Sequence, residues 1–226
     1  MHLSVVIPAL NESAGIVATL AQLQRMRDKG VEVILADGGS NDATKALAAP
    51  LVDRIVDSAP GRARQMNAGA AAANGEALLF LHADSLLPDG ADQSIFESLA
   101  DSPHTWGRFD VAIAGKHFMF PVIAWFMNHR SRLTGIATGD QGIFVTRAAF
   151  EHVGGFPDQV LMEDIELCKR LKKSGKPACL HEKIVTSGRR WEKHGVWRTI
   201  LLMWRIRLAY FFGADPVALH RTYHGE

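Results

Sequence analysis

The sequence predicts an α/β protein with a mostly parallel sheet flanked by helices. Through the first hundred residues, short apolar runs that suit buried strands alternate with stretches whose apolar residues recur at helical spacing. Three aspartates, Asp37, Asp84 and Asp164, each follow an apolar run or stand at a predicted helix start. Because ligands of open α/β sheets bind at the carboxyl ends of strands, these acids indicate one site.

The elements follow in order along the chain. Strands are predicted at residues 3–7, 31–36, 54–56 and 77–82, and helices at 14–29, 43–49, 62–74 and 89–100. Pro8 is expected to end the first strand, Ser13 to cap the first helix and Gly30 to end that helix. Beyond residue 100 the pattern is mixed: an antiparallel or edge strand at 106–114, a strand at 141–146, a charged helix at 162–174 and an aromatic helix at 196–212.

Composition excludes several classes of protein. A chain of 226 residues with 47% hydrophobic and 22% charged residues suits one globular domain. The net charge of +1 argues against a general nucleic-acid binder. Cys168 and Cys179 form no CxxC pair, which argues against a zinc or redox motif and fits a reducing cytoplasm. We expect no signal peptide, and the apolar run at 118–127 is too short to span a bilayer.

Asp37 opens the turn Asp-Gly-Gly-Ser-Asn-Asp after the second strand. A carboxylate at a strand end can accept hydrogen bonds from a base N–H or a ribose hydroxyl, and the glycines let a backbone approach a ligand closely. The alternative is structural, with Asp37 starting a turn and Asn41 or Asp42 capping the next helix. Neither a GxGxxG fingerprint nor a Walker A lysine motif is present.

The run Ser-Val-Val-Ile-Pro-Ala-Leu-Asn-Glu at 4–12, with the Asp37 turn, resembles the family 2 glycosyltransferases. This chain has one glycine more than the family's DGSxD turn. The resemblance implies a GT-A fold. It also implies that the pocket for a nucleotide base and ribose is lined by Pro8, Ala9, Leu10, Asn11, Glu12 and Asp37.

The segment that starts at Gly61 carries Arg62 and Asn67 at a predicted helix N-terminus. Such a terminus favours anions, and arginine can bind phosphate through two hydrogen bonds. In the resembled family a basic residue followed by Asn-x-Gly lies near the diphosphate, which implies nucleotide binding by Arg62 and Asn67. The alternative is that these are solvated polar residues of a helix.

His82 and Asp84 end the fourth predicted strand. Mg²⁺ or Mn²⁺ bound with a diphosphate uses a few carboxylates together with phosphate and water oxygens. The position matches the family's DxD motif, whose last acid contacts the metal. The resemblance therefore implies a divalent metal on Asp84. His82 replaces the first acid and could ligate Mn²⁺ or bond a sugar hydroxyl, and the alternative for Asp84 is a capping residue.

Glu163 and Asp164 fall in the first turn of a predicted helix, where the macrodipole favours an ionised carboxylate. A general base must be ionised. In the resembled family a Glu-Asp pair supplies the base. The resemblance implies that Asp164 is the base and that Glu163 orients it or the acceptor. The alternative is that both acids only stabilise the helix.

Two further segments are predicted to line the acceptor or diphosphate pocket. They contribute Gly139, Asp140, Gln141, Arg190 and Trp191. Arg190 and Trp191 match the end of the QxxRW motif of processive family members, but Ser187 stands in place of the glutamine. With no transmembrane pattern visible, we do not expect processive synthesis.

Four segments resemble a narrower bacterial subgroup linked to radical-SAM gene neighbourhoods and, by family naming, to arsenosugar biosynthesis. They lie at residues 131–136, 139–142, 161–164 and 187–192. The helix at 196–212 interleaves aromatic residues with arginines. It can lie on an anionic membrane surface, or pack on the domain or on a second subunit.

The predicted function is metal-dependent, inverting, non-processive transfer of a sugar, of the hexosyltransferase type, from a nucleotide-sugar donor to the hydroxyl of a small-molecule or lipid-linked acceptor. One domain is expected, with a nucleotide-binding half at 1–100 and an acceptor-binding half at 101–226. Three alternatives stay open: transfer to a lipid-linked acceptor at the inner membrane face, a non-catalytic nucleotide-sugar-binding module, and a nucleotidyltransferase. A cytoplasmic location is expected, and peripheral membrane contact and a homodimer both stay open.

Overall fold

The computed structural model describes residues 1–100 and 102–224. Its centre is an eight-stranded mixed sheet in the order β3-β2-β1-β4-β7-β6-β8-β5. The strands are β1 Leu3–Ala9, β2 Glu32–Asp37, β3 Arg54–Asp57, β4 Ala77–Phe80, β5 Ser85–Leu86, β6 Trp106–Ala114, β7 Ile143–Thr146 and β8 Ala178–Ser187.

Helices cover the sheet, and two 3-10 turns stand at Ala49–Leu51 and Gly139–Gln141. The helices are α1 Ile16–Arg27, α2 Thr44–Ala48, α3 Arg62–Ala72, α4 Ala91–Leu99, α5 Phe120–Thr134, α6 Arg147–His152, α7 Glu163–Leu171, α8 Arg189–His194, α9 Val196–Phe211 and α10 Pro216–His224.

The four N-terminal strands pair in parallel, as predicted. Alternate side chains of β1 enter opposite layers: Val5 packs in the cluster that contains Leu20 of α1, and Val6 packs with Met66 of α3. The side-chain period of two in a strand thus gives the sheet a helical layer on each face. The α/β class is confirmed.

β1 runs two residues beyond its predicted end and includes Pro8. The Val6 carbonyl accepts a hydrogen bond from Leu81 on the β4 side, and the Ala9 carbonyl accepts one from Gly38 on the β2 side. Because backbone groups alternate sides, the nitrogen of Pro8 faces the β4 side, beyond the last residue of β4. Its missing N–H therefore removes no ladder bond.

The predicted cap of α1 is wrong. The helix begins at Ile16 with Gly15 as N-cap and no side-chain cap. The backbone N–H of Ser13 instead donates to Asp42 Oδ2 at 3.2 Å, which ties this loop to the Asp37 turn. Gly30 follows the helix with φ of 93°, the left-handed conformation that glycine adopts at helix ends.

The second half of the chain departs most from prediction. Of the two alternatives for β6, the antiparallel one is confirmed by its pairing with β7; β6 is not an edge strand, because it also pairs parallel with β8. The sequence patterns gave no strand at β8 and no helices at α5 and α10. Among the residues described, no helix is both long and apolar enough to cross a bilayer.

α9 and α10 form a C-terminal hairpin that packs beside the start of α7. Ile206 of α9 and Leu219 of α10 are buried in one cluster with Met162 and Ile165. The hydroxyl of Tyr210 also donates to Glu166 of α7 at 3.4 Å. The hairpin therefore holds the segment that carries the predicted general base.

Candidate functional site

The loop after β1 and the turn after β2 are joined by hydrogen bonds at the carboxyl edge of the sheet. Asn11, in a left-handed conformation with φ of 55°, donates its N–H to Ser40 Oγ at 2.9 Å. Its Oδ1 accepts from the Asn41 N–H at 3.0 Å, and the Glu12 N–H donates to Thr44 Oγ1 at 2.8 Å. The two segments predicted to hold a nucleoside therefore form one connected surface.

Asp37 is fully buried and uses its two carboxylate oxygens differently. Oδ2 accepts from the N–H groups of Gly39 and Ser40 at 3.0 and 2.9 Å, which supports the structural reading of this residue. Oδ1 is buried without a hydrogen-bond partner in the described part of the chain. A buried acceptor that lacks a partner is costly, so this oxygen is the unsatisfied group of the turn.

Gln65 of α3 connects the ends of the two central strands, and the sequence patterns did not single it out. Its Nε2 donates to the carbonyls of Ala9 at 2.7 Å and Ala36 at 3.0 Å. A Cβ on Gly38 would lie only 2.9 Å from the Gln65 side chain. Gly38 is thus required for close packing, whereas the adjacent Gly39 is required for its φ of 91°.

Arg62 stands at the start of α3, as predicted, and its exposed side chain lines a cleft of acidic groups. Burial of its surroundings lowers the pKa of the guanidinium, but the acidic groups outweigh that effect and hold the pKa above its ordinary value. In order of effect, these groups are Glu163, Tyr223, Asp140 and Asp164. Arg62 therefore places a positive charge between the two halves of the chain.

Asn67, also predicted to bind nucleotide, is engaged with the loop before α7. Its Nδ2 donates to the Phe156 carbonyl at 2.8 Å, and its Oδ1 accepts from the Phe156 N–H at 3.0 Å. The same Oδ1 lies 2.8 Å from where a Cβ of Gly155 would stand. Asn67 therefore positions the Gly155–Phe156 backbone, and its amide does not face the Arg62 cleft as a free group.

His82 and Asp140 form a pair at the end of β4. Nδ1 of His82 lies 3.4 Å from Asp140 Oδ1, and Nε2 faces Gly139 so closely that a Cβ there would lie 2.3 Å away. Burial raises the pKa of the Asp140 carboxyl, but the bond to His82 and the charge of Arg62 outweigh it, and that pKa is lowered. Both ring nitrogens of His82 are therefore directed at the Gly139–Gln141 turn.

Asp84, the predicted metal ligand, is partly exposed and lies 3.8 Å from a terminal nitrogen of Arg189. Burial, and then the charge of Asp84, raise the pKa of Glu12, although Arg189, Arg62 and His82 oppose this. Within residues 1–100 and 102–224, no group of three or more His, Cys, Asp or Glu side chains could hold a metal ion. A divalent ion at Asp84 would need further oxygen ligands from a diphosphate and water.

Glu163 and Asp164 form the first turn of α7, as predicted. Asp164 Oδ2 accepts the Gly139 N–H at 2.9 Å, which fixes this carboxylate against the turn that holds His82. Burial, and then the charge of Asp164, raise the pKa of Glu163. The residue before them, Met162, has φ of 65°, a strained backbone conformation for any residue other than glycine.

Two arginines beside Asp164 were not predicted from the sequence. Burial and the charge of Arg207 lower the pKa of Arg130 to about 10, and Asp164 opposes this. Burial also lowers the pKa of Arg207, again against Asp164. Nε and one terminal nitrogen of Arg130, and Nε of Arg207, are buried without a hydrogen-bond partner among the residues described. This side of the cleft therefore carries unsatisfied donors.

Three residues predicted for the pocket lie elsewhere or are engaged. Gln141 is fully buried and donates to Ser131 Oγ at 3.0 Å. Trp191 packs in the cluster around Phe120 and Val196 instead of standing free to stack on a sugar. Arg190 donates to the Tyr223 carbonyl at 3.2 Å and lies 3.6 Å over the Tyr223 ring. Its neighbour Arg189 is the one that reaches Asp84.

A sequence profile described as Glycosyl transferase family 2 matches residues 4–152, from β1 to the end of α6. The chain belongs to this family. The PGL/p-HBAD biosynthesis glycosyltransferases of Mycobacterium bovis and Mycobacterium tuberculosis are each 37% identical to this family 2 chain over 102 residues. The match covers 42% of this chain and 37% of the length of each relative, so most of each relative lies outside the matched segment.

Solved structures show the same fold. The mannosyltransferase PcManGT from Pyrobaculum calidifontis, in complex with GDP-Man and Mn²⁺, is similar with a TM-score of 0.66 and 24% identity, over 92% of this chain and 60% of that one. Glucosyl-3-phosphoglycerate synthase from Mycobacterium tuberculosis, with Mn²⁺ and UDP, has a TM-score of 0.61 and 20% identity, over 81% of this chain and 70% of that one. The GT-A fold predicted for this family 2 chain is confirmed.

Within this family 2 fold, the predicted residues divide into three groups. Those whose charges act on one another around the Arg62 cleft, together with the glycine bonded to Asp164, are Glu12, Arg62, His82, Asp84, Gly139, Asp140, Glu163 and Asp164. Those at the nucleoside end of the sheet are Pro8, Ala9, Leu10, Asn11 and Asp37. Those engaged in packing or in bonds to neighbouring segments are Asn67, Gln141, Arg190 and Trp191. Arg189, Arg130, Arg207 and Gln65 were missed because each acts through a partner distant in sequence.

Proposed function

We propose that this chain transfers a sugar from a nucleotide-sugar donor to an acceptor hydroxyl, with inversion at the anomeric carbon and without processivity. The observation that carries the proposal is the position of Asp164, fixed at the start of α7 by the Gly139 N–H and close to Arg62 in one cleft. Family membership and the nucleotide complexes of PcManGT and its fold relatives support the same donor class.

On the donor side, the proposal assigns the nucleoside to the first loop and the Asp37 turn. The orphaned Oδ1 of Asp37 would accept a hydrogen bond from the base or ribose. Arg62 would offset the charge that develops on the leaving diphosphate, because it lines the cleft and is exposed. Arg189, which faces Asp84, is a better second cation than Arg190, whose guanidinium is engaged with Tyr223.

On the acceptor side, the proposal assigns the proton transfer to Asp164. Its carboxylate takes the proton of the acceptor hydroxyl while that oxygen bonds to the anomeric carbon. The bond from the same carbon to the diphosphate oxygen breaks, and the nucleoside diphosphate leaves. Glu163 lies beside the base, and its raised pKa favours a protonated carboxyl that can orient the acceptor by hydrogen bonding.

A divalent ion fits this cleft only through Asp84. The like charges of Glu12 and Asp84 lie close enough to raise the pKa of Glu12, which a cation would relieve. A bound Mn²⁺ or Mg²⁺ would supply positive charge to the diphosphate. His82 is left out of the ligand set because its ring nitrogens face Asp140 and Gly139.

The test measures nucleotide release from a panel of UDP- and GDP-sugars with Mn²⁺, with candidate acceptors, for the wild type and for Asp164→Asn. Loss of a general base lowers kcat by about 10²–10⁴-fold, and we expect a fall in that range. Glu166→Gln is the matched control, a carboxylate two residues further along α7 that bonds Tyr210. Equal release by Asp164→Asn and the wild type would overturn the assignment of the base.

A second candidate function is transfer to a lipid-linked acceptor, which the exposed aromatic residues of α9 favour. It predicts faster release when the acceptor is presented in vesicles than in solution. Nucleotide-sugar binding without release in every condition would instead favour the non-catalytic module. The single-domain organisation, the narrower radical-SAM-linked subgroup and the cytoplasmic location remain proposals drawn from the sequence.

A further inference from the structure

The outer face of α9 presents a continuous row of apolar side chains to solvent. The row, called here the α9 stripe, consists of Trp197, Leu201, Trp204, Leu208 and Phe211. These positions are spaced four, three, four and three residues apart, so they lie on one side of the helix over about 20 Å. Their side chains are between 61% and 79% exposed.

The opposite face of the same helix is already used for packing. Val196, Thr199 and Ile206 are buried, and Ile206 contacts the cluster at the start of α7. α9 is therefore apolar on its buried side and also on the side that faces water. This is unusual, because the solvent-facing side of a helix is normally polar. With Trp and Phe contributing about 150–250 Å² each when fully exposed, the stripe exposes on the order of 600 Å², the upper limit for a typical monomer.

α5 lies beside α9. Phe120 and Ile123 of α5 are buried with Val196 of α9, so the two helices are neighbours. α5 also has its own exposed apolar residues at helical spacing. They are Phe118, which precedes the helix, Val122, Trp125, Phe126 and Leu133.

The charges around the stripe are positive. Neither α5 nor α9 contains an acidic residue, and Arg198 and Arg205 of α9 are exposed next to the stripe. Over residues 188–212 the chain has six Lys and Arg and one Glu. Aromatic side chains with flanking arginines suit the boundary between lipid headgroups and acyl chains, where arginine also binds anionic lipid.

A second copy of this chain is a poorer occupant. Symmetric packing of two stripes would bring Arg198 and Arg205 of one copy against the same residues of the other. Neither helix offers an acid to pair with them, and like charges brought together across an interface oppose association. We propose that the α9 stripe docks this protein on an anionic lipid surface, with α9 lying in the plane of the interface.

This docking would place the start of α7, and with it the cleft, beside the headgroups, because the inner face of α9 packs on Met162 and Ile165. The proposal does not depend on catalysis. If the protein docks on lipid but does not transfer sugar, the docking proposal stands and the proposed function fails. If it transfers sugar without docking, only the docking proposal fails.

The test is flotation of the full chain with vesicles of phosphatidylcholine, and with vesicles of phosphatidylcholine mixed with phosphatidylglycerol. We expect the wild type to float with the mixed vesicles, and the variant Trp197→Ser with Trp204→Ser to partition at least about tenfold less. The matched control changes two exposed apolar residues elsewhere, Val17→Ser with Leu47→Ser, and should float as the wild type does.

The charge contribution is tested by Arg198→Gln with Arg205→Gln. Each arginine removed should weaken binding to the mixed vesicles about fivefold, with little change on phosphatidylcholine alone. Absence of wild-type flotation, or equal flotation of the Trp197→Ser, Trp204→Ser variant, would overturn the proposal. So would a wild-type dimer in solution that this variant converts to a monomer without any vesicle binding.

Discussion

The two sides of the cleft differ in how well their polar groups are satisfied. On the donor side, made of residues 8–13 and 37–44, backbone and side-chain hydrogen bonds tie the loops together, and Gln65 fixes the strand ends. On the acceptor side, around the start of α7, Glu163 has a raised pKa, Met162 is strained, and Arg130 and Arg207 keep unpartnered donors. Natural proteins tolerate such costs mainly where a ligand uses them.

Among the substitutions that test this difference between the two sides, the largest effect is expected on the metal that the donor side is proposed to use. Asp84→Asn removes the proposed carboxylate ligand, so about a hundredfold more Mn²⁺ should be needed for half-maximal nucleotide release. Chelation with EDTA should stop release by the wild type. Asp89→Asn, an exposed acid in the following loop, is the control. An unchanged Mn²⁺ requirement in Asp84→Asn would remove this residue from the metal site.

The rigidity of the donor side can be broken at Gln65. Replacing it by Ala removes two hydrogen bonds, one to the Ala36 carbonyl and one to the Ala9 carbonyl, which keeps its bond from the Gly38 N–H; at about 0.5–1.5 kcal/mol each, the two cost about 1–3 kcal/mol. We expect the free energy of unfolding, measured by urea titration, to fall by about 2 kcal/mol. Gln93→Ala, on the exposed face of α4, should change it by less than about 0.5 kcal/mol.

On the acceptor side, by contrast, a substitution is expected to raise the free energy of unfolding. Because the pKa of Glu163 is raised in the folded protein, its protonation stabilises the fold at low pH, and that stabilisation is lost as the pH rises through the folded pKa. Glu163→Gln should therefore have a free energy of unfolding higher than that of the wild type by on the order of 1 kcal/mol at about pH 8, and a higher melting temperature, while losing activity.

The advantage of Glu163→Gln should shrink as the pH falls toward 4.5, the ordinary value for glutamate. Thermal melts across this range measure it, with Glu151→Gln on the exposed face of α6 as the control. A variant less stable than the wild type at every pH would mean that Glu163 is held by favourable contacts and not by strain.

The smallest effect is expected at Arg130. Met keeps most of the packing volume and removes the repulsion from Arg207, so Arg130→Met should change the free energy of unfolding by less than about 1 kcal/mol, toward greater stability. If the unpartnered donors serve the acceptor, its KM should rise in the same variant. Arg25→Met, exposed on α1, should alter neither quantity.

The sequence predicted the donor side better because its residues are close in the chain. The motifs at 4–12 and 36–42 each lie within one strand and one turn, so periodicity and turn chemistry place them. The proposed base, Asp164, was also found, because its motif stands at a helix start. Arg130 and Arg207 could not be found, since their importance comes from meeting Asp164 across three helices.

Two of the elements that the sequence patterns missed, β8 and α5, have a physical explanation. β8 contains His-Glu-Lys in its middle, which interrupts the alternation of a half-buried strand, and its pairing with β6 provides the stability instead. α5 is apolar on its exposed face as well as its buried one, so its sequence shows no single helical stripe. Tertiary contacts decide both cases, and local pattern does not.

The contact between Gly139 and His82 couples two positions that are far apart in the chain. Any side chain at 139 would meet the imidazole, so alanine there requires either that the His82 ring moves or that a smaller residue stands at 82. A substitution at either position therefore changes which residues the other can accept, and the two should be inherited as a pair. A library randomised at both positions, selected for folding, would show whether alanine at 139 survives beside the histidine.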